Sequence, residues 1–282
     1  MSKGKSIDVL PCEDSVVRAE EARRSLDVSR AVALALGQSA VSQVARGTYL
    51  APSGRWVDIQ PAVETAIRSK RSIPPNELLT LPSEDPVRRT RVQVCNETTL
   101  QAARRLHDQG LRPLALNFAN GATPGGGFLN GARAQEEVLC RSSALYATLE
   151  GDPMYAYHRG LGEPTSSDWI ILSPRVPVFR DDAGSALEEP WLLDFATCAA
   201  PYAPRVGKDR SADLLGSRIA RLLAVAAASG YEDLILGAWG CGAFANDPER
   251  TARDFLSALE GDFAGRFNHI VFAITDWSPE RK

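Results

Sequence analysis

The stretch Asn117-Phe-Ala-Asn-Gly-Ala-Thr-Pro-Gly-Gly-Gly-Phe-Leu-Asn-Gly-Ala-Arg-Ala-Gln-Glu-Glu137 decides how this chain is read. It starts where an apolar run, Pro113 to Phe118, reads as a buried strand, and ends where a helical pattern begins at Gln135. Gly125, Gly126 and Gly127 remove every side chain from a segment whose backbone must come close to something. Exposed backbone N–H groups in such a turn form a concavity suited to an anion. Loops set by a strand-to-helix scaffold are frequent carriers of function. Gln135, Glu136 and Glu137 then open the helix. Acidic residues suit a first turn because of the helix dipole, but the glycines just before them put these carboxylates at the edge of the same expected pocket. At about 100° per residue, adjacent glutamates cannot point the same way. One is expected to reach a reacting bond while the other holds a sugar hydroxyl.

Outward from this stretch the chain alternates. Val92 to Cys95 reads as a short strand and Thr98 to Gly110 as a helix. Gln135 to Leu149 reads as one strong helix, with Val138, Ser142, Leu145 and Leu149 along one stripe. Trp169 to Leu172 and Trp191 to Cys198 read as strands, with a loop around Pro174 to Pro190 between them. Ser211 caps a helix running to Ser229, Leu234 to Leu236 is a strand, and Ile270 to Ile274 closes the series. A second small-residue loop, Gly240-Cys-Gly-Ala-Phe-Ala-Asn-Asp247, follows the strand at Leu234. Asp247 and Pro248 open a helix there, and its N-terminal end is expected to favour a phosphate. Alternation of this kind implies an α/β fold, a mixed or parallel sheet covered on both faces by helices. Ligands then sit beyond the carboxyl ends of the strands.

The first ninety residues differ. They show little strand character; Ser15 to Gly37 and Pro61 to Arg71 read as helical, and Pro74, Pro75, Pro82 and Pro86 mark a connector. The expected division is an amino-terminal helical accessory segment, residues 1–90, packed on a catalytic domain, residues 91–282.

Neither glycine loop is a P-loop, since no Gly-Lys-Ser/Thr follows. Neither fits the dinucleotide fingerprint, because Asn130 stands at its last glycine position. A nucleotide-dependent enzyme on a similar scaffold is disfavoured accordingly. In 282 residues, 32 basic and 35 acidic side chains leave a net charge of −3, which gives no bulk attraction to nucleic acid. No apolar run approaches the roughly 20 residues of a membrane span. The five cysteines, Cys12, Cys95, Cys140, Cys198 and Cys241, are widely separated, with no CxxC pair, so a cytoplasmic, reducing setting is expected. His107, His158 and His269 lack metal-like spacing and read as structural. Cys241 has no recognisable base beside it and reads as a small buried residue.

Three glycines, seven residues and Gln-Glu-Glu resemble the signature of the poly(ADP-ribose) glycohydrolases, supported by Phe118-Ala119-Asn120 and by Gly240-Cys241-Gly242-Ala243-Phe244. The resemblance covers roughly Val92 to Trp277 and is to the microbial type. It implies a macrodomain-like mixed sheet sandwiched between helices, with an amino-terminal helical extension. It also implies hydrolysis of the ribose–ribose bonds of poly(ADP-ribose), with no cofactor and no metal. Glu137 would be the catalytic acid and then base, and Glu136 and Asn120 would orient the terminal ribose. Gly125, Gly126, Gly127 and Gln135 would sit at the substrate, Gly240, Cys241, Gly242, Ala243 and Phe244 would cradle the diphosphate, and Phe272 would pack near the adenosine or ribose. The expected partners are poly(ADP-ribose) and ADP-ribose on modified proteins, in reversal of ADP-ribosylation such as follows DNA damage. The alternatives are an ADP-ribose-binding reader and a mono-ADP-ribosyl hydrolase.

Overall fold

The computed structural model describes residues 7–81 and 89–278. In chain order its elements are β1 (Ile7–Val9), α1 (Val16–Leu26), α2 (Arg30–Arg46), β2 (Thr48–Leu50), β3 (Trp56–Asp58), α3 (Gln60–Ser69), β4 (Arg71–Ile73), β5 (Thr90–Cys95), α4 (Thr99–Asp108), β6 (Leu114–Ala119), α5 (Gln135–Ser142), α6 (Leu145–Leu149), α7 (Pro153–Gly160), β7 (Ile170–Arg180), β8 (Ala186–Ala199), α8 (Ala203–Val206), α9 (Lys208–Ala228), β9 (Asp233–Leu236), α10 (Pro248–Glu260) and β10 (His269–Ala273). Eight strands form one sheet in the order β1-β5-β10-β9-β6-β8-β7-β4. Pairing is parallel from β1 through to β8 and antiparallel for β8 with β7 and β7 with β4. The α/β reading, a mixed sheet between helical layers, is what the chain forms.

Strand β6 shows why the sheet has two covered faces. Leu114 and Leu116 enter one buried cluster, with Ile219, Phe255 and Trp239, while Ala115 between them enters the other, with Val138, Leu139 and Phe195. Successive side chains of a strand point to opposite faces, so a strand with apolar side chains on both needs helices on both. Packing of α5 and α4 on one side, and α9 and α10 on the other, supplies them. β6 ends at Ala119, and the chain leaves its carboxyl end into the glycine turn.

Four sequence expectations change. The region 174–190 is not a loop: β7 and β8 form a long hairpin through it, with register shifts between Ser173 and Val176 and between Val178 and Arg180. Its prolines are tolerated because neighbours end before them. β4 pairs only with Ile170 to Leu172, and β6 only with Asp194 to Ala199, so Pro174, Pro177 and Pro190, which have no N–H to give, lie where no second ladder calls for one. Gln135 to Leu149 is not one helix. Ser143 is extended (φ −144°, ψ 178°), its hydroxyl donates to Leu139 O at 2.7 Å, and Ala144 N donates to Pro177 O at 3.0 Å. A serine hydroxyl and a strand edge thus break the helix. Ser211 is not the cap of α9, which begins at Lys208; it is buried and donates to Asn246 Oδ1 at 2.6 Å. Finally, the first ninety residues contain strands. β1 and β4 form both edges of the main sheet, and β2 and β3 pair in a small one. These strands are three residues each, too short to show an alternating pattern. Of the proline connector, Pro82 and Pro86 lie outside the described residues.

Candidate active site

Three consecutive side chains at the start of α5 are stitched to main chain. Gln135 Oε1 accepts from Phe118 N at 2.9 Å, and its Nε2 donates to Leu116 O at 2.7 Å and Thr99 Oγ1 at 3.1 Å. Glu136 Oε2 accepts from Asn120 N at 2.7 Å, and its Oε1 lies 3.4 Å from Asn117 Nδ2. Glu137 Oε1 accepts from Gly127 N at 2.9 Å, and Glu137 Oε2 is buried with no partner. Both glutamates are buried, at 3% and 8% exposure. Burial pushes the Glu136 carboxyl up to about 8, with the charge of Glu137 adding to the rise; N–H donation from Asn120 opposes it. A carboxyl in that range is mostly protonated at neutral pH and can donate a hydrogen bond.

The glycine turn is shaped around these carboxylates. Gly125 and Gly126 have φ of +68° and +57°, a region that disfavours a Cβ. A Cβ on Gly126 would overlap Glu137 Oε1 and stand 2.9 Å from Glu136 Oε2; one on Gly125 would meet the Phe128 ring at 2.9 Å; one on Gly127 would meet Ala132 Cβ at 2.9 Å. The turn therefore needs glycine for contacts inside the protein as well as for any ligand. Asn120 Oδ1 accepts from Ala122 N and Thr123 N, both at 2.9 Å, which fixes the turn's first bend.

A cavity of about 380 Å³ opens beside this cluster, at the carboxyl ends of β5, β6 and β10. Gln135 forms part of its wall, as do Gly240, Gly242, Ala243 and Phe244. Residues of both loops thus meet where open α/β sheets bind ligands, while Asn120, Gly125, Gly126, Gly127, Glu136 and Glu137 stand outside this wall. Gly240 (φ +76°) is packed so that a Cβ would stand 2.8 Å from Ala200 Cβ and Asn246 Nδ2, whereas a Cβ on Gly242 would meet nothing within 4 Å. Asn246 braces the loop through Pro201 O (2.9 Å) and Gly240 O (3.1 Å). The expected phosphate position at the N-terminus of α10 is already taken, because Asp247 accepts from Glu249 N and Arg250 N at 2.9 and 3.2 Å.

Two further expected residues line another cavity. Phe272 packs edge-on against Phe255 (centroids 5.2 Å apart) in a separate apolar cavity of about 230 Å³. Cys241 lines that same cavity, its Sγ 3.6 Å from Thr251 Oγ1, and burial pushes the thiol up rather than activating it. Conversely, the cavity wall contains residues the sequence did not single out, among them Glu97, Thr98, Arg133 and Asp182. Glu97 and Thr98 lie at the strand-to-helix turn after β5, so the strand-end rule applied to β6 could have found them. Asp182, which accepts from Thr98 Oγ1 at 2.7 Å, arrives from the β7–β8 hairpin that was read as a loop. Among the described residues no group of three His, Cys, Asp or Glu is arranged to hold a metal, and no helix is long and apolar enough to cross a membrane.

The family model described as the microbial-type PARG catalytic domain (PARG, poly(ADP-ribose) glycohydrolase) matches residues 37–181. The crystal structure of poly(ADP-ribose) glycohydrolase from Thermomonospora curvata is 45% identical over 88% of this chain and 94% of that one, with a TM-score of 0.83. The chain belongs to the microbial-type PARG family. The Thermomonospora curvata enzyme bound to the inhibitor ADP-HPD matches at 46% identity over the same shares, with a TM-score of 0.81. PARG from Deinococcus radiodurans in complex with ADP-ribose matches at 38% identity over 78% of this chain and 93% of that one, with a TM-score of 0.71. No curated protein sequence matches. The PARG fold and activity are those of this chain: a macrodomain-like sheet and a glycosidase that hydrolyses poly(ADP-ribose). The PARG match starts at Gly37, within α2, well before Val92.

Proposed function

We propose that Glu137 is the single acid-then-base of this hydrolysis and that Glu136 holds the terminal ribose. The observation that carries it is the asymmetry of the pair. Glu137 Oε1 is fixed by Gly127 N–H while Oε2 has no partner, so one oxygen orients the group and the other is left for a proton. Protonated Glu137 gives its proton to the leaving ribose 2′ oxygen as the C1″–O bond breaks and an oxocarbenium-like centre forms. The resulting carboxylate then takes a proton from water as the water oxygen adds to C1″. The products are ADP-ribose and a polymer shorter by one link. Two-carboxylate glycosidases separate their acids by several ångströms; neighbouring residues stitched to one turn fit a single working acid better.

Glu136 is expected to be mostly neutral at pH 7, so its proton serves a sugar hydroxyl without opposing an anionic substrate. In this reading Asn120 shares that task through its amide Nδ2, since its Oδ1 is bonded within the turn. The turn at Gly125, Gly126 and Gly127 lets backbone approach the sugar, and Gly240, Gly242, Ala243 and Phe244 take the diphosphate. Gln135 acts through β6, since both ends of its amide are already bonded to that strand's main chain. In this reading the enzyme works on polymer attached to modified proteins, in responses such as that to DNA damage, and in a reducing cytoplasm, a setting with which its five free thiols agree.

Glu137→Gln should keep ADP-ribose affinity while polymer shortening falls by about two to four orders of magnitude, the usual worth of a positioned proton-transfer group. Chain-length analysis of labelled polymer, run beside calorimetric binding of ADP-ribose, reads both. Near-wild-type turnover would remove Glu137 from the role. Release from singly modified protein with polymer left intact would favour mono-ADP-ribosyl hydrolysis instead.

A further inference from the structure

His158 lies in the last turn of α7 and is 6% exposed, and both of its ring nitrogens are engaged. Nδ1 is 3.0 Å from Gly121 O; Nε2 is 2.7 Å from Ser167 Oγ and 3.1 Å from Ser167 N. The tautomer follows from chemistry. A backbone N–H can only donate, so Nε2 bears the lone pair; a carbonyl can only accept, so Nδ1 carries the hydrogen and gives it to Gly121.

On its far side the imidazole rests on a fixed support. Buried Arg218 of α9 donates to Thr165 O and to Ala199 O, the latter at 2.9 Å. Ser166 is left-handed at φ +56° with no glycine to ease it. Its hydroxyl occupies the place a Cβ on Gly121 would take. On its near side the imidazole grips the turn that carries the acid pair. Gly121 follows Asn120, whose N–H holds Glu136 Oε2, and the next carbonyl, Ala122 O, is held by Arg159 Nη1 at 2.7 Å. Thr123 O accepts from Gly126 N at 3.0 Å, which passes the constraint into the glycines. Any drift of Gly121 moves the Asn120 N–H, and with it the Glu136 carboxyl.

We propose that His158 is a positioning residue for the hydrolysis: its Nδ1–H clamps the Asn120–Gly127 turn onto the 165–167 segment and so sets the geometry of the two glutamates. This rests on the reading of Glu136 and Glu137 given above. It assigns His158 no contact with substrate.

The test uses three variants of the whole chain. Asparagine puts its amide nitrogen where Nδ1 stands and keeps the donation to Gly121, but loses the acceptor for Ser167. Glutamine places its amide at the Nε2 end, and alanine loses both. His158→Asn and His158→Ala should therefore both lower the thermal midpoint, His158→Ala the more. They should part in function: His158→Ala and His158→Gln lose about ten-fold in kcat on labelled polymer, as for one well-placed hydrogen bond, while His158→Asn stays within about two-fold of wild type, a small fraction of that same bond. Amide hydrogen exchange over residues 121–127, which needs no substrate, should quicken in His158→Ala and not in His158→Asn. Equal impairment of His158→Asn and His158→Ala, or unchanged exchange and kcat in His158→Ala, would overturn the proposal. Failure of the wild type to shorten polymer would instead sink the functional reading, and the exchange comparison would still decide the clamp.

Discussion

Glutamine at position 136 should change how stability depends on pH more than it changes stability itself. In the folded protein the Glu136 carboxyl is lifted from its ordinary 4.5 to about 8, chiefly by burial. Between those two values the folded chain holds a proton that the unfolded chain has released, so stability falls as pH rises. The stabilising contribution is complete below pH 4.5 and is lost progressively up to about pH 8. At about 1.36 kcal/mol per pH unit, the whole interval amounts to about 5 kcal/mol, a large part of the 5–15 kcal/mol that holds a typical domain together. Glu136→Gln removes the titration. Its amide oxygen can still accept from Asn120 N, but its amide nitrogen then faces Asn117 Nδ2, now 3.4 Å from Glu136 Oε1. That opposition of donors costs on the order of 1 kcal/mol at every pH. Asp182, lifted to about 6, and His158, pushed down to about 4, have slopes of their own, but both proteins share them and they cancel in the difference. Guanidinium unfolding of wild type and Glu136→Gln at half-unit steps from pH 5 to 8 measures that difference. The variant should gain on wild type steadily as pH rises. A difference constant with pH would show that Glu136 titrates normally, and would remove the neutral-carboxyl argument for its role at the ribose.

Gly126→Ala should cost at least 1–2 kcal/mol of stability from the left-handed φ alone and should disturb both glutamates, with hydrolysis falling by more than ten-fold, at least one hydrogen bond's worth; chemical denaturation and polymer shortening measure the two losses. Gly242→Ala differs in kind, since a Cβ there meets nothing within 4 Å and the residue lies on the cavity wall. Its unfolding midpoint should stay unchanged while calorimetric affinity for ADP-ribose drops, and unaltered affinity would take this loop off the diphosphate.

What could be read from the sequence was what the local pattern fixes. A strand running to Phe118, one residue short of its end at Ala119, a glycine turn and a helix opening on Gln-Glu-Glu were legible because apolar runs, glycines and first-turn acids have period and position. Asp247 with Pro248 opened a helix as read, yet the same aspartate fills the N-terminal amides that had been set aside for a phosphate. A good cap and an anion site are identical in sequence until one knows which group arrives. The β7–β8 hairpin was missed because its prolines are acceptable only where neighbouring strands stop, and strand lengths are a property of the sheet. The edge strands β1 and β4 are likewise legible only from their partners β5 and β7. His158 was read as structural; what it braces depends on Ser167, nine residues along the chain, and Gly121, thirty-seven residues back.

The seven residues between Gly127 and Gln135 follow from the same geometry. Leaving Gly127, the chain makes one 3₁₀ turn at Phe128–Asn130 and reverses at Gly131, φ +74°. Asn130 N and Ala132 N both return to Gly127 O, at 2.9 and 3.1 Å, so this excursion closes on the residue it began from. Ala132, Arg133 and Ala134 then lead into α5, and the first three side chains of the helix reach Phe118 N, Asn120 N and Gly127 N in turn. Advancing the helix by one residue would rotate these side chains by about 100°. Glu137 would leave the Gly127 N–H, and its place would go to Val138, which has no acid, or to Glu136, with Gln135 where Glu136 had been. The spacing is therefore set by the return of an acid to the glycine turn it came from. For this reason three glycines and three helix-opening residues carry more information as a spaced pair than either does alone.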